Sequence, residues 1–317
     1  MVFYVVLENS NQTTVEKFIL LGLPSIYSLQ VVFSLLLFLM YTMTSLGNIL
    51  LIIIVKSNSR LQTPMYFFLS NLAIIDICYS TTVVPKLLTN TLSKDKSISF
   101  LGCAIQLYFH AALAAAECLI LTIMAFDRYN AICKPLQYHM IMNQKLCHGL
   151  AVGCWIVSFS TPVHLTLYTF RLPFCKSNRI EHFFCEMPPL LHLACTDIWF
   201  NEILEYSAAI IVVGGTFALI LVSYFLILST ILNIKSTKQK QKAFSTCASH
   251  LSVVLLFYVT MLFMHLRPPS SYFPEQDRVI AIFYTVVTPM LNPIIYSIRN
   301  KEIKVFIQKT LTTIFVR

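Results

Sequence analysis

Two acidic residues, Asp76 and Glu117, interrupt long apolar stretches of the sequence, where an ionised side chain is costly and indicates a functional site. Two amides, Asn48 and Asn292, occupy similar places in two other apolar stretches. Carboxylates and amides gathered at one depth could hold a monovalent cation such as sodium, or could share a proton. They could equally form a hydrogen-bonded network that only joins helices. The sequence leaves both interpretations open and predicts no other metal and no cofactor.

A second group of residues follows a helical period between positions 110 and 128. The residues that share this helix face are His110, Ala114, Glu117, Leu121, Ala125 and Arg128. At the usual helical rise the face is about 27 Å long, with a histidine at one end and an arginine at the other. Asp127 could hold Arg128 in an ion pair that a conformational change releases. A lone arginine at the edge of an apolar span is otherwise an ordinary anchor.

The overall composition indicates which elements must position these groups. Of the 317 residues, 57% are hydrophobic and only 12% are charged, against about 25% charged residues in a typical soluble protein. So few charges leave too little polar surface for a soluble globule of this size. The composition therefore excludes the soluble, disordered and disulfide-scaffold classes, and it predicts an all-α membrane protein.

The gaps between charged residues predict how often the chain crosses the membrane, because a spanning helix needs about 20 mostly apolar residues. Seven gaps are long enough, and two of them are interrupted only by Asp76 or by Glu117. They lie between residues 17–56, 60–86, 96–127, 145–171, 205–235, 242–267 and 278–299. The sequence therefore predicts a seven-transmembrane helix bundle. The pair Asn292-Pro293 predicts a kink in the last helix, as in proteins that switch shape.

Charge also predicts which side of the membrane each segment faces. Most of the 23 lysines and arginines fall in segments that lie inside if the N-terminus is outside. The net charge of +9 is then a topology signal rather than a nucleic-acid-binding surface. A glycosylation sequon at Asn11 agrees with an extracellular N-terminus and a cytoplasmic C-terminus. We expect an outer segment at 1–28, the seven-helix domain at 29–298, and a cytoplasmic tail with a short amphipathic helix at 299–317.

Four of the ten cysteines fall on the predicted outer side: Cys103 and, within one long loop, Cys175, Cys185 and Cys195. An even number in an oxidising compartment predicts two disulfides, with three pairings open. Tied to the third span, such a loop would cover the bundle as a lid. The group HFFCE at 182–186 could instead bind a metal, a less favoured hypothesis because an oxidised sulfur is a poor ligand.

Six short sequence motifs follow one another along the chain. They are GN at 47–48, LQTPMY at 61–66, MAFDRYNAIC at 124–133, SY at 223–224, KAFSTCASHL at 242–251 and PMLNPIIY at 289–296. In these motifs and in their order, the chain resembles the odorant (olfactory) receptors, a branch of the rhodopsin-like G-protein-coupled receptors, over almost its whole length. Any one motif would be weak evidence, but six in order are specific.

The resemblance implies a plasma-membrane receptor, not an enzyme, that binds a small volatile organic molecule from outside. It also implies activation of a stimulatory G protein of the olfactory type, which raises cAMP. It pairs Cys103 with Cys185 and Cys175 with Cys195, and it places the acidic pair of the second and third spans near the sodium site of related receptors. It assigns the activation switch to Asp127, Arg128, Tyr129, Tyr224, Asn292, Pro293 and Tyr296.

By family position, thirteen residues of the third, fifth, sixth and seventh helices would line the ligand site. They are His110, Ala111, Ala114, Ala115, Cys118, Ala208, Ala209, Val212, Tyr258, Leu262, His265, Ile282 and Thr285. Small side chains here leave volume for a mostly apolar ligand, although they also suit tight helix packing. The outer end of the third helix has no aspartate to bind an amine. We therefore expect a neutral odorant that hydrogen-bonds to His110, Tyr258 or His265.

Four positions depart from the family's pattern. Gln62 replaces the usual histidine, Phe126 the usual tyrosine, Asn130 the usual valine, and Val259 the usual glycine. The first three lie on the side of the G protein and bear on coupling efficiency. Val259 could stiffen the sixth helix or narrow the floor of the ligand site.

Three other functions compete with this interpretation. A transporter or channel is disfavoured because the sequence has no internal repeat and an odd number of spans. A membrane enzyme is disfavoured because no nucleophile, base and orienting group occur together. The same kind of receptor could sense a non-odorant metabolite outside the nose, which the sequence does not distinguish. Membrane lipid is an expected partner and nucleic acid is not; the odorant and the oligomeric state do not follow from the sequence.

Overall fold

The computed structural model describes residues 15–22, 27–266 and 273–299. Seven helical stretches are long and apolar enough to cross a membrane, and we number them as spans in chain order. They are Gln30–Ser57, Pro64–Leu92, Phe100–Cys133, Gln144–Thr169, Trp199–Leu232, Cys247–His265 and Pro274–Ser297. The prediction of an all-α membrane protein with a seven-helix bundle is confirmed.

The helices that form these spans are also numbered in chain order. Single helices form five spans: α1 (Tyr27–Ser57), α2 (Pro64–Leu92), α3 (Phe100–Cys133), α5 (Gln144–Thr169) and α9 (Thr237–His265). The fifth span contains α7 (Trp199–Ala209) and α8 (Gly215–Leu232), and the seventh contains α10 (Pro274–Ile282) and α11 (Thr288–Arg299). The short helices α4 (Tyr138–Ile141) and α6 (Met187–Leu191) lie in the connections.

Local sequence signals explain where several helices begin. Pro64 occupies the first turn of α2, where its missing N–H would have no helical partner. Ser99 caps α3 because its hydroxyl accepts a hydrogen bond from the backbone N–H of Gly102 at 3.0 Å. Asn143 caps α5 in the same way, through the N–H of Leu146 at 2.9 Å. These caps fix the starting points of two helices that line the site described below.

The fifth and seventh spans each contain a π-helical turn, which regular helical periodicity does not predict. One covers Ile210–Gly214 between α7 and α8, and the other covers Phe283–Val287 between α10 and α11. Such turns are rare and frequently occur at functional sites. They insert an extra residue into a turn, so a helix face assigned from the 3.6-residue period is displaced at these positions.

The third span lies at the centre of the bundle. Its helix α3 packs against α2, α5, α8 and α9, and most of its length is buried. The first span instead presents large apolar side chains outward, such as Val32 and Leu46, which are 64% and 63% exposed. That surface would be costly in water but not against lipid hydrocarbon. The central α3 therefore carries five of the thirteen candidate ligand residues, together with Glu117 and the switch residues Asp127, Arg128 and Tyr129.

A small three-stranded sheet covers one end of the bundle. Its middle strand, β1 (Lys17–Leu20), pairs antiparallel with β2 (Ser97–Ser99) and parallel with β3 (Arg179–Ile180). Phe18 and Leu20 point into a second apolar cluster beneath it. The sheet joins the N-terminal segment to two loops, and such short strands carry too little pattern to be predicted from sequence.

Some predictions fall on residues that the structure does not describe. Asn11 and the amphipathic helix expected within 299–317 both lie outside the described residues. The divisions at 1–28, 29–298 and 299–317 stay predictions.

Candidate functional site

A cavity of about 110 Å³ lies between α3, α5, α7 and α9 and beneath the long loop that follows α5. This volume is several times the roughly 10–15 Å³ that a single water molecule needs. Nine of the thirteen residues expected at the ligand site line it: His110, Ala111, Ala114, Ala115, Cys118, Ala208, Ala209, Val212 and His265. The cavity is therefore large enough for part or all of a small organic molecule.

The other four expected residues do not line this cavity. Tyr258 is fully buried, and its hydroxyl donates hydrogen bonds to Thr216 Oγ1 at 2.8 Å and to the carbonyl of Cys118 at 3.2 Å. The hydroxyl of Thr285 bonds back to the carbonyl of its own helix, at Ala281. Leu262 and Ile282 also lie away from the lining. The described lining of this cavity contains no residue of the seventh span.

Nine lining residues were not expected from the sequence. They are Leu107, Thr161, Pro162, Leu165, Glu186, Met187, Glu205, Val213 and Met261. Glu186 and Met187 directly follow Cys185, so a disulfide to the third span was a signal that they lie near α3. The three residues of α5 have no comparable sequence signal, because only the packing of the bundle brings them to the cavity.

The long outer loop is fixed to the bundle by covalent and polar contacts. Cys103 at the start of α3 is bonded to Cys185, with Cα atoms 5.4 Å apart, and Cys175 is bonded to Cys195 at 5.8 Å. The backbone N–H of Cys185 also donates to Gln106 Oε1 of α3 at 2.9 Å. Both expected pairings are confirmed, and the loop therefore covers the cavity from a fixed position.

The group at 182–186, for which the sequence also allowed metal binding, has no free thiol in this structure. Cys185 is oxidised in a disulfide and has no thiolate to offer. Within the described ranges, no cluster of three or more His, Cys, Asp or Glu side chains is arranged to bind a metal.

Glu186 forms a polar end of the otherwise apolar cavity. Its Oε1 accepts a hydrogen bond from the hydroxyl of Tyr284, in the π turn of the seventh span, at 2.9 Å. Its Oε2 lies 3.8 Å from Nε2 of His182. Burial raises the pKa of Glu186 to about 7 and lowers the pKa of His182 to about 3. His182 is therefore neutral at physiological pH, and its contact with Glu186 is not a full ion pair.

A second carboxyl group lies on the same cavity. Glu205 of α7 approaches His265 of α9, with 3.9 Å between Oε1 and Nδ1. Both side chains are partly exposed, at 19% and 18%. The pair joins the fifth and sixth spans beside the cavity.

Asp76 and Asn292 meet in the middle of the bundle. The amide Nδ2 of Asn292 donates to both carboxylate oxygens of Asp76, at 2.9 and 3.1 Å. Glu117 is fully buried and interacts electrostatically with Asp76, but neither of its carboxylate oxygens has a hydrogen-bond partner among the described residues. Asn48 is directed to the seventh span, where its Nδ2 donates to the carbonyl of Pro289.

The inner end of α3 has a different arrangement from the expected ion pair. Asp127 Oδ1 accepts a hydrogen bond from the hydroxyl of Tyr138 in α4, at 2.8 Å. The Asp127 carboxyl group also interacts electrostatically with Arg128, whose buried Nε has no hydrogen-bond partner within the described ranges. The neighbouring Tyr129 ring lies under Lys134 Nζ, 5.5 Å from the ring centroid.

A polar contact also joins the third, fifth and sixth spans near their inner ends. His250 Nε2 of α9 lies 3.1 Å from the carbonyl of Leu121, and its Nδ1 lies 2.7 Å from the hydroxyl of Tyr224. A carbonyl can only accept, so Nε2 carries the hydrogen and Nδ1 of the neutral ring accepts from Tyr224. Tyr296 on the seventh span is buried, and its hydroxyl has no hydrogen-bond partner in the described part of the chain.

Comparison with known proteins decides the family. A family model described as olfactory receptor matches residues 37–313. The chain is 46% identical over 308 residues to human olfactory receptor 6N1, covering 97% of this chain and 99% of that protein. It is 47% identical to mouse olfactory receptor 5AP2 over 96% of each chain. With human olfactory receptor 1C1 the identity is 47%, over 96% of this chain and 97% of that protein.

The chain belongs to the olfactory receptor family.

This membership makes the protein a G-protein-coupled receptor of the odorant class, without enzymatic activity. The family implies, in general terms, an odorant ligand and a G-protein partner. Together with the seven apolar helices, it also makes the receptor a multi-pass plasma-membrane protein.

The structure also locates the four residues at which this receptor departs from the family pattern, and one of them, Phe126, is 40% exposed on α3. Val259 is 61% exposed on the outer surface of α9, so it does not narrow the floor of the cavity. Asn130 is buried, and its amide donates to the carbonyl of Phe126 at 2.8 Å. Gln62 ends the single helical turn formed by Ser59–Leu61. Val259 and Phe126 thus face outward, whereas the Asn130 amide bonds within its own helix.

Proposed function

We propose that this olfactory receptor binds a small, mostly apolar volatile ligand in the cavity beneath the outer loop. Binding would then activate a stimulatory, olfactory-type heterotrimeric G protein and raise cAMP. The observation that carries the proposal is the cavity itself, which is bordered by small side chains of α3 and α7 and covered by a loop held through Cys103–Cys185. Apolar walls with a few polar groups are typical of small-molecule sites.

We propose that the N-terminus is extracellular and the C-terminus cytoplasmic. Both disulfides lie in the loop region beside the cavity, and disulfides persist in an oxidising environment. The opposite ends of the helices are richer in lysine and arginine, as expected for cytoplasmic loops. A ligand would therefore reach the cavity from outside the cell.

A single helix can connect the cavity to the inner end of the bundle. α9 is continuous from His250 to His265, about 22 Å at the usual rise per residue. Met261 and His265 line the cavity, whereas His250 bonds to Leu121 and Tyr224. A ligand that displaces α9 would break these inner hydrogen bonds. Tyr224 would then be free to act together with Arg128 in coupling to the G protein.

A cAMP assay tests this function in cells that contain the olfactory G protein, across a panel of volatile compounds. We expect at least one compound to raise cAMP. Arg128→Ala should abolish the response while surface labelling stays unchanged, and Lys56→Ala, an exposed basic residue, is the matched control. An intact response in the Arg128→Ala variant would contradict the assigned switch.

We also propose that Asp76 and Glu117, with Asn48 and Asn292, hold a sodium ion or a shared proton. The unpartnered buried oxygens of Glu117 and the free Oδ1 of Asn292 support a group that needs oxygen ligands. A bound cation would neutralise charge within the bundle.

The test is thermal unfolding of the purified receptor in sodium chloride and in choline chloride, over a range of pH. A sodium-specific rise in Tm that Glu117→Gln removes would support an ion, whereas a pH-dependent rise without salt specificity would support a shared proton. If the Tm of the wild-type receptor is insensitive to both, the two residues form only a structural network.

A further inference from the structure

The cavity lining is acidic at one end. Two of its residues carry carboxyl groups, Glu186 from the outer loop and Glu205 from α7. No lysine or arginine occurs among the described residues that line it. Opposite charge is attracted and like charge is repelled strongly in a site that excludes water. The cavity therefore favours a ligand with positive charge over an acid of the same size.

Glu186 has an acceptor atom without a partner. The side chain is only 4% exposed, and its Oε1 is held by the hydroxyl of Tyr284. Its Oε2 is buried and has no hydrogen-bond partner among the described residues, because His182 Nε2 is too distant at 3.8 Å. A buried polar atom without a partner costs about 1–3 kcal/mol. A hydrogen-bond donor on a ligand would satisfy this oxygen.

The second carboxyl group belongs to α7. Glu205 Oε1 lies 3.9 Å from His265 Nδ1, close enough for an ion pair when the histidine is protonated, and Glu205 is also near enough to Glu186 to raise the pKa of Glu186. This acid therefore adds to the negative potential that a ligand meets near Glu186.

The remaining walls require a hydrocarbon body. Ala111, Ala114 and Ala208 leave space between α3 and α7, and Met261 closes the side next to α9. None of these side chains can hydrogen-bond to a ligand. Because Thr161 and His110 are the other polar residues of the lining apart from the pair of Glu205 and His265, a molecule that matches the cavity has one polar head and a mostly apolar body.

We propose that this receptor selects small amphiphilic amines, whose protonated nitrogen binds Glu186 and whose hydrocarbon body occupies the space between α3, α7 and α9. The inference rests on the proposed odorant-binding function and narrows it to one ligand class. It reverses the expectation from the sequence, in which the absence of an acid at the outer end of α3 argued against amines. The folded chain supplies that acid from the outer loop instead.

The test measures binding without a G protein, so that it does not depend on coupling. The purified receptor in lipid nanodiscs is titrated with straight-chain primary amines, alcohols and carboxylic acids, from butyl to octyl, and the ligand-induced shift in Tm gives the apparent Kd. We expect the best amine to bind about tenfold or more tightly than the alcohol of equal length, because hydrogen bonds to charged groups are the stronger ones. The acids should produce no shift.

Variants assign the preference to Glu186. Glu186→Gln keeps an oxygen that can accept from Tyr284, so it should fold, and it should weaken amine binding about tenfold while leaving alcohol binding nearly unchanged. Glu181→Gln, an exposed residue of the same loop, is the matched control and should bind amines like the wild type. Tyr284→Phe removes the hydrogen bond that positions Glu186 and should weaken amine binding without abolishing it.

Each outcome decides between the proposals. Equal affinity for amines and alcohols in the wild type, or unchanged amine affinity in Glu186→Gln, would overturn the ligand class and leave the cavity as the odorant site. Preferential binding of the acids would overturn it as well. If no member of the three series shifts the Tm, both the ligand class and the proposed cavity fail. If Glu186→Gln does not fold, the comparison of the series in the wild type still decides.

Discussion

The side-chain amide of Asn48 donates a hydrogen bond to the backbone carbonyl of Pro289, at 3.2 Å, and thereby joins the first span to the seventh. That carbonyl lies four residues before Pro293, which has no N–H to donate to it. Asn48 thus supplies the hydrogen bond that the proline removes from its own helix. Within a membrane, where water cannot satisfy the carbonyl, such a partner allows the proline to be retained.

The first prediction concerns this bond. Asn48→Ala should leave the Pro289 carbonyl unsatisfied and lower the free energy of unfolding by about 1–3 kcal/mol. The measurement is thermal unfolding of the purified receptor in detergent. Thr42→Ala, which removes an exposed hydroxyl bonded only within α1, is the control and should change Tm much less. Equal losses in the two variants would argue against a special role for Asn48.

The second prediction concerns the close approach beside this bond. A Cβ atom on Gly47 would lie 3.2 Å from Cγ of Pro293, whereas a Cβ on Gly153 in α5 would meet no atom within 4 Å. Gly47→Ala should therefore separate the first and seventh spans and lower Tm by an amount equivalent to about 1 kcal/mol. Gly153→Ala should raise Tm slightly, because alanine is the better helix former. The opposite signs distinguish packing from helix propensity.

The third prediction concerns the contact of His250 with Leu121 and Tyr224. His250→Ala removes both hydrogen bonds and should favour the state in which α9 has moved away. With a net contribution of about 1 kcal/mol for each of the two hydrogen bonds, the equilibrium between the two states should shift by about thirtyfold, and basal cAMP per surface receptor should rise by up to that factor. Ser252→Ala, which removes a bond within the same helix, is the control. Unchanged basal cAMP in the His250→Ala variant would show that this contact does not stabilise the resting state.

The fourth prediction concerns the covalent link that holds the outer loop over the cavity. Cys185→Ser breaks its bond to Cys103 and should cost about 2–5 kcal/mol, enough to prevent surface expression or ligand response. Cys78→Ser, at an exposed free cysteine of the second span, should be tolerated. Surface labelling and the response to an active odorant measure both effects. Normal behaviour of the Cys185→Ser variant would count against the loop as a fixed lid.

The spans could be predicted from the sequence because a charge is costly in a bilayer, so its position restricts where a helix can lie. Asp76 and Asn292 could be grouped because both are polar residues within apolar spans. The contact between Glu186 and Tyr284 could not, since it depends on a loop of irregular structure and on a π turn that no period indicates. The energetic cost of a polar residue within an apolar span can be inferred from the sequence. Contacts between distant segments can be known only from the packed bundle.

The charge state of Glu186 depends on groups that reach it from several elements. Those that face it or share its cavity wall are His182 in its own loop, Tyr79 of α2, His110 of α3, Glu205 of α7, His265 of α9, and Asp277 and Tyr284 of the seventh span. The strongest influence is burial, which raises the pKa of Glu186 from an ordinary value of 4.5 to about 7. Between these two values the folded state binds more protons at this site than the unfolded state.

The fifth prediction follows from that difference in protonation. Because the folded pKa is the higher one, stability is greatest below about pH 4.5 and falls as the pH rises toward 7. The glutamine of the Glu186→Gln variant cannot ionise, so the stability of the variant does not depend on pH in this way. The free energy of unfolding of the wild type should therefore fall by on the order of 2–3 kcal/mol relative to that of the variant across this pH range. Tm measured from pH 5 to 8 for both proteins checks the prediction, with Glu181→Gln as the exposed control. Parallel curves for the wild type and Glu186→Gln would mean that the carboxyl group is solvated in the folded receptor and ionises normally.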